Sequence, residues 1–159
     1  MLDDLASLYS AVLADVLDAH GYPNQCLTPA VRALTPAQRI AGRVFTMKAE
    51  IVDGVPEQPY VLEMEAVDTA EPGDVLVIDA GHDRSCGFWG ELLSTACLAK
   101  GVRGVVMTAC TRDLWALNQL DFPVFGIGAS PADSKGRVDA SAIREPIVID
   151  GVAAKQGDY

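Results

Sequence analysis

An α/β fold built on parallel strands is predicted by three features of residues 72–126. The first is the short run Val75-Leu76-Val77-Ile78-Asp79, set off by the turn signal Pro72-Gly73-Asp74. A continuous β-branched run of this length suits a strand buried on both faces. The second is the helical rhythm of Trp89, Leu92, Leu93, Ala96 and Cys97, closed by Lys100 in the last turn and by Gly101. The third is that this strand-then-helix alternation repeats at once. Gly104-Val105-Val106-Met107 reads as a strand, Ala109-Cys110-Thr111-Arg112-Asp113 as a polar loop, and Leu114, Leu117 and Leu120 as a short helix. A third strand begins at Phe122-Pro123-Val124-Phe125-Gly126. Strands and helices alternating this closely imply right-handed crossovers between parallel strands.

The flanking segments follow from the same patterns. Leu2, Leu5, Leu8, Tyr9, Val12, Leu13, Val16 and Leu17 make an amphipathic helix over residues 2–20, ended by Gly21 and Pro23. Residues 22–41 hold three prolines without a clean period and read as loop. Residues 42–50 alternate as a strand. Residues 56–70 read as helix, with Tyr60, Val61, Met64 and Val67 on one face. Residues 129–137 form a polar loop, and Ile147-Val148-Ile149 is a strand followed by the hairpin signal Asp150-Gly151.

Composition narrows the function classes. A chain of 159 residues, half of them hydrophobic, is expected to form one domain over 1–159 with a real core. The net charge of −10 argues against a broad basic surface, so no nucleic-acid partner is expected. The apolar runs are too short to span a bilayer. Met1-Leu2-Asp3-Asp4 lacks the basic flank of a signal peptide, which points to the cytoplasm. Cys26, Cys86, Cys97 and Cys110 show no Cys-x-x-Cys spacing, and His20 and His82 are the only histidines, so a zinc site is not expected. Cys86 and Cys110, in the two loops discussed next, are expected as reduced thiols.

The predicted topology puts residues 80–90 and 109–113 after the carboxyl ends of parallel strands, where open α/β sheets hold their ligands. Gly90-Glu91-Leu92-Leu93 opens a helix, so its first backbone N–H groups are free to bind an anion. Arg112 offers a planar fork for a carboxylate or enolate oxygen. Glu91 and Asp113 offer carboxylate oxygens suited to Mg²⁺. Each residue alone has a structural role open to it: Asp113 as a helix-start residue, Arg112 in an ion pair, Glu91 as a first-turn acid. Their joint placement on two loops at one sheet edge favours a site. His82 and Asp83 invite a proton-transfer role, although a surface loop is the plainer reading. Lys48, Lys100, Lys135 and Lys155 all lie outside the two loops, which disfavours Schiff-base chemistry.

Glu91, followed by twenty residues and then Arg112-Asp113, resembles the pattern of the family of regulator of ribonuclease activity A. That family includes divalent-metal-dependent 4-hydroxy-4-methyl-2-oxoglutarate aldolases, whose commonest form has Asp where this chain has Glu91. Pro72-Gly73-Asp74-Val75-Leu76-Val77, residues 101–106, Phe122-Pro123-Val124-Phe125 and Gly157-Asp158-Tyr159 also look like family segments. Relatives usually continue past the last of these into a further strand pair, so the chain is expected to stop short of it. The resemblance implies a three-layer β/β/α sandwich with a parallel central sheet, assembled as a homotrimer or a dimer of trimers. It implies a metal-dependent lyase that cleaves 2-oxo acids to pyruvate and decarboxylates oxaloacetate. In that chemistry Asp113 anchors Mg²⁺ or Mn²⁺ and Arg112 contacts the keto oxygen. Backbone N–H groups at Gly90, Leu92 and Leu93 hold the substrate carboxylate, and Glu91 orients metal-bound water. Other roles implied by the resemblance are a regulator that inhibits a ribonuclease by protein contact, a methyltransferase of the menaquinone pathway, or an intact site without physiological turnover. Glu91 favours the enzyme over the regulator. Ala80-Gly81-His82-Asp83 is a poor nucleotide-binding loop, which disfavours the methyltransferase.

Overall fold

The structure is a computed structural model and describes residues 2–159. Along the chain run α1 (Leu2–Ser7), α2 (Ser10–Ala19), β1 (Arg32–Ala33), β2 (Arg43–Ile51), α3 (Val61–Thr69), β3 (Asp74–Asp79), β4 (Gly87–Trp89) and α4 (Glu91–Ala99). There follow β5 (Gly104–Met107), β6 (Cys110–Thr111), α5 (Leu114–Leu117), β7 (Val124–Gly126), β8 (Gly128–Ala129), β9 (Val138–Ile143), β10 (Ile147–Ile149) and β11 (Val152–Ala154).

The central sheet has the order β1-β7-β5-β3-β2-β9. Its four inner strands are parallel, with Val75 opposite Val44 on one side and Gly104 on the other. The two edge strands, β1 and β9, are antiparallel to their neighbours. Successive side chains point to opposite faces, so this sheet carries two apolar surfaces. Phe45, Met47, Leu76, Ile78, Val105 and Met107 pack under Ala66, Val67, Cys97 and Leu117 of the helices. Val75 and Val77 pack under Ile147 and Ile149 of the β10–β11 hairpin. Hairpin, sheet and helices make the three layers expected. Asp150 and Gly151, both at positive φ (51° and 82°), close the hairpin in the tight turn that such a pair favours.

Several local expectations change. The first helix breaks after Ser7, whose hydroxyl donates to the Asp4 carbonyl at 2.6 Å and competes with helix continuation. No residue of α2 is buried, so its apolar stripe faces away from the core. Met1 and the side chain of Leu2 lie outside the described residues. The helix expected over 56–70 starts only at Val61, after Pro56 and Pro59 and a left-handed Tyr60 (φ 68°). Its buried face is Glu63, Ala66, Val67 and Ala70, whereas Val61 and Met64 are exposed. In α4, Leu92 is 80 % exposed, and Cys97 and Ser94 are the buried residues. Asp74 is no surface turn residue: it is buried, accepts from Arg43 Nε at 2.7 Å and caps the Glu71 N–H at 2.9 Å. The β9 edge strand went unread because Val-Asp-Ala-Ser-Ala-Ile is poor in β-formers.

A second, three-stranded parallel sheet, β4-β6-β8, positions the functional loops. Its strands β6 and β8 continue β5 and β7 after steps at Thr108-Ala109 and Ile127. Gly87 bridges to Asp133, and its N–H bonds the Ala132 carbonyl at 2.8 Å. The loops following β4, β6 and β8 are thereby tied edge to edge at the carboxyl end of the inner strands.

Candidate functional site

The loops after the small sheet deliver Gly90, Arg112-Asp113 and Asp133 to one cavity of about 420 Å³, also lined by Tyr60, Glu63, Met64, Phe88, Leu92 and Leu93. Backbone pairing sets the register. The Arg112 N–H donates to the Trp89 carbonyl at 2.8 Å, and the Thr111 hydroxyl donates to the same oxygen at 2.8 Å. Two glycines make this approach possible. A Cβ on Gly87 would meet the Ser130 carbonyl oxygen at 2.6 Å and Arg112 Cβ at 2.7 Å. A Cβ on Gly90 would meet Asp113 Oδ2 at 2.7 Å and Arg112 Cγ at 3.0 Å.

Arg112 is held by two carboxylates. Its Nη1 donates to Asp133 Oδ1 at 3.1 Å, and its Nε lies 3.4 Å from Asp113 Oδ2. Asp133 also accepts from the Tyr60 hydroxyl at 2.8 Å. That hydrogen bond, followed by the Arg112 charge, holds the Asp133 carboxyl below its usual range. Burial and the Asp133 partner push the Tyr60 phenol up to about 12, so it stays a donor. The guanidinium fork is thus oriented before any ligand arrives.

Gly90 is the N-cap of α4 and has no side chain to cap the helix. The Glu91 N–H turns to Asp113 Oδ2 at 3.3 Å, and no described residue accepts from the Leu92 or Leu93 N–H groups. An anion placed at this helix start would meet those open donors and the positive end of the helix. Asp113 sits at φ 57°, a left-handed conformation that Asp tolerates better than most residues. Its carbonyl accepts from the Ala116 and Leu117 N–H groups, both at 2.9 Å, which anchors the side chain at the start of α5. Glu91 Oε1 accepts from the Thr95 hydroxyl at 2.7 Å, one helical turn on.

The donor set fits a hard, water-rich cation rather than a closed metal cage. Asp113 offers a carboxylate oxygen at the cavity, and Glu91 stands 22 residues before it in sequence at the opposite loop. Among the described residues no three His, Cys, Asp or Glu side chains converge on one point. Mg²⁺ and Mn²⁺ accept such sites, with waters and substrate oxygens completing the coordination.

Of the six residues expected at the site, Gly90, Leu92, Leu93, Arg112 and Asp113 line this cavity; Glu91 does not, its carboxylate accepting from Thr95 along the helix. His82 and Asp83 lie elsewhere. The His82 ring pairs with Asp150 and ties the hairpin turn to the loop, while Asp83 Oδ1 accepts from the Ser85 N–H at 2.9 Å. The four cysteines are free thiols, and burial pushes those of Cys86, Cys97 and Cys110 up. Sequence reasoning missed Asp133, Tyr60 and Glu63. Asp133 sat in an unpatterned polar loop without a signal. Glu63 did carry one: it stands three, four and seven residues before Ala66, Val67 and Ala70, a carboxylate on the apolar stripe of its own helix.

The chain is similar to several known proteins. A protein from Laribacter hongkongensis, provisionally named 4-hydroxy-4-methyl-2-oxoglutarate aldolase, is 30 % identical over 92 % of this chain and 87 % of its own. A protein of the same provisional name from Halalkalibacterium halodurans is also 30 % identical, but the chain spans only 64 % of its length. The chain spans a quarter of protein DlpA from Legionella pneumophila, at 26 % identity. Among solved structures, an uncharacterized protein from Pseudomonas syringae pv. tomato superposes with a TM-score of 0.83 at 28 % identity, covering 98 % of this chain and 71 % of that one. Streptomyces coelicolor RraAS2, titled an unusual member of the RNase ES inhibitor RraA protein family, has the same fold, with a TM-score of 0.87 at 24 % identity over 98 % of this chain and 77 % of its own. The RraA-like family model (Aldolase/RraA) matches residues 10–159, and the chain belongs to that family.

Proposed function

We propose that the cavity binds a small 2-oxo acid and cleaves the carbon–carbon bond that leaves the enolate of pyruvate, as a metal-dependent lyase. The natural substrates of this reading are 4-hydroxy-4-methyl-2-oxoglutarate and, by decarboxylation to the same enolate, oxaloacetate. The observation that carries it is the convergence of an oriented Arg112 fork, the Asp113 carboxylate and the open N–H groups of Leu92 and Leu93 on one cavity. The provisional aldolase names of relatives agree with a lyase.

The helix start at Gly90 receives the substrate carboxylate through the Leu92 and Leu93 N–H groups. Arg112 faces the keto oxygen, on which negative charge grows as the bond breaks, and its preset hydrogen bond to Asp133 spares reorganisation at that moment. Asp113 would hold the cation, and Glu91, at the start of α4, would act on its water. A bound Mg²⁺ or Mn²⁺ supplies Lewis acidity toward the same oxygens. Phe88, Leu93 and Met64 wall the cavity with apolar surface, which strengthens these electrostatic interactions.

The same reading assigns the exposed apolar residues near the cavity to self-assembly. Leu92 (80 % exposed), Trp115 (82 %) and Met64 form apolar surface that a homotrimer or a dimer of trimers would cover. A regulatory role through protein contact is the second reading, supported by that surface and by the inhibitor title of the Streptomyces relative. Pyruvate release from 4-hydroxy-4-methyl-2-oxoglutarate and from oxaloacetate, with Mg²⁺ and with EDTA, separates the two. Metal-dependent release supports the lyase, and none with any divalent cation leaves the regulator.

A further inference from the structure

Glu63 is the most unusual side chain in the wall of the cavity. It is 2 % exposed, no described N–H or O–H group donates to either of its buried carboxyl oxygens, and the side chain it pairs with is another carboxyl, that of Asp139. A buried carboxyl paired only with another acid is costly when ionised, and a fold keeps one only where something offsets it or where it has a use. Glu63 lies on the buried face of α3, against Ala66 and Val67, where an apolar residue would pack without penalty. Among the described residues no salt bridge to a cation is recorded for it. The charged groups around it are Asp139 on β9 and Asp133 after β8, both acidic. Arg112, the cation that lines the cavity, is engaged by Asp133 and Asp113.

We propose that Glu63 is the proton carrier of the site, taking the proton from the substrate hydroxyl as the carbon–carbon bond breaks and returning it to the enolate carbon. This rests on the lyase reading above. With 4-hydroxy-4-methyl-2-oxoglutarate, the Glu63 carboxylate accepts the C4 hydroxyl proton and the C4 oxygen becomes the carbonyl of one pyruvate. The C3–C4 bonding pair passes into the C2–C3 enolate. The Glu63 O–H bond then breaks as a C3–H bond forms, which restores the keto group and gives the second pyruvate. No external proton, oxidant or reductant is needed. With oxaloacetate, carbon dioxide leaves instead, protonated Glu63 gives its proton to C3, and water reloads it.

The environment suits both halves of that cycle. Burial, reinforced by Asp139, raises the Glu63 carboxyl from 4.5 to about 7, so both protonation forms are populated at neutral pH. A proton carrier acts best near the operating pH. The apolar packing of α3 holds the backbone, and Tyr60 at the helix cap bonds Asp133, which fixes the wall in which Glu63 sits.

The test uses full-length protein loaded with Mg²⁺ and reads exchange of the pyruvate methyl protons in D₂O by NMR, which reports enolate protonation without bond cleavage. Glu63→Gln should slow exchange and cleavage by roughly 10²–10⁴-fold, Glu63→Asp should recover part of it, and oxalate, an enolate mimic, should bind both variants within about threefold of wild type. The wild-type rate should show a limb near pH 7 that Glu63→Gln lacks. In ¹³C-glutamate-labelled protein the Glu63 carboxyl resonance should titrate near neutrality and shift with oxalate. Glu63→Gln that exchanges at the wild-type rate overturns the proposal and leaves the lyase reading standing, as does loss of oxalate binding in parallel with turnover. A wild type that neither cleaves nor exchanges refutes the lyase reading and this proposal with it.

Discussion

Replacing Glu63 with Gln should make the protein more stable at alkaline pH and leave its stability nearly unchanged at acidic pH. The amide keeps the shape of the acid and carries no charge at any pH. In the unfolded chain Glu63 titrates at 4.5, and in the fold burial first and then Asp139 raise it to about 7. A carboxyl raised on folding stabilises through its protonated form, so the contribution runs opposite to that of a salt-bridged acid. Below pH 4.5 both states hold the proton and there is no penalty. Between 4.5 and 7 the folded state holds a proton that the unfolded state has lost, and stability falls by about 1.4 kcal/mol per pH unit. The span from 4.5 to 7 gives about 3 kcal/mol, fully developed above pH 7. Urea denaturation of wild type and Glu63→Gln at pH 5, 6, 7 and 8, at one protein concentration, measures it. With a slope of roughly 2 kcal/mol/M, the variant's midpoint should move ahead of wild type by about 1 M or more between pH 5 and pH 8. Curves that stay parallel across that range would refute the burial argument for Glu63.

The remaining predictions concern the cavity residues. Asp113→Ala should abolish metal-dependent turnover and leave the urea midpoint within about 0.5 M. Arg112→Ala should lower kcat by roughly 10²–10³, the scale for losing one donor to a developing oxyanion, and Arg112→Lys should recover little because an ammonium lacks the planar fork. Glu91→Gln should cost less than either, and Glu91→Asp should retain activity. Gly90→Ala should fold, since its φ of −150° suits any residue, yet weaken Mg²⁺ binding in calorimetry, because its Cβ would stand 2.7 Å from Asp113 Oδ2. Borohydride with pyruvate should leave the protein active, and a trapped pyruvyl adduct would contradict the metal-enolate chemistry.

How much of this was readable before the structure depended on the period of each segment. The β3–α4–β5 unit was legible because Val75-Leu76-Val77-Ile78 and Gly104-Val105-Val106-Met107 are continuous apolar runs, buried but for the half-buried Val106, and because Lys100-Gly101 stops the helix between them. The Gly90 and Arg112-Asp113 loops followed from it by topology alone. The small sheet β4-β6-β8 did not, since strands of two or three residues carry no period, and they are set by pairing with one another. Asp133 was invisible for the same reason: it reaches Arg112 only because Gly87 bridges to its loop. The face of α3 was misread because Tyr60, Val61, Met64 and Val67 outweigh Glu63, Ala66 and Ala70 in hydrophobicity. The fold instead buries the smaller side that fits against β9 and α4. The α2 stripe is a true amphipathic pattern whose apolar side meets no core in the single chain.

The most direct test of the central claim is a Mg²⁺ titration of pyruvate release from 4-hydroxy-4-methyl-2-oxoglutarate by wild type and by folded Asp113→Ala. Release by wild type should saturate with Mg²⁺ and stop with EDTA, and the variant should release none above background at any Mg²⁺ concentration. Equal release by the two proteins, or release by wild type that persists in EDTA, would contradict it.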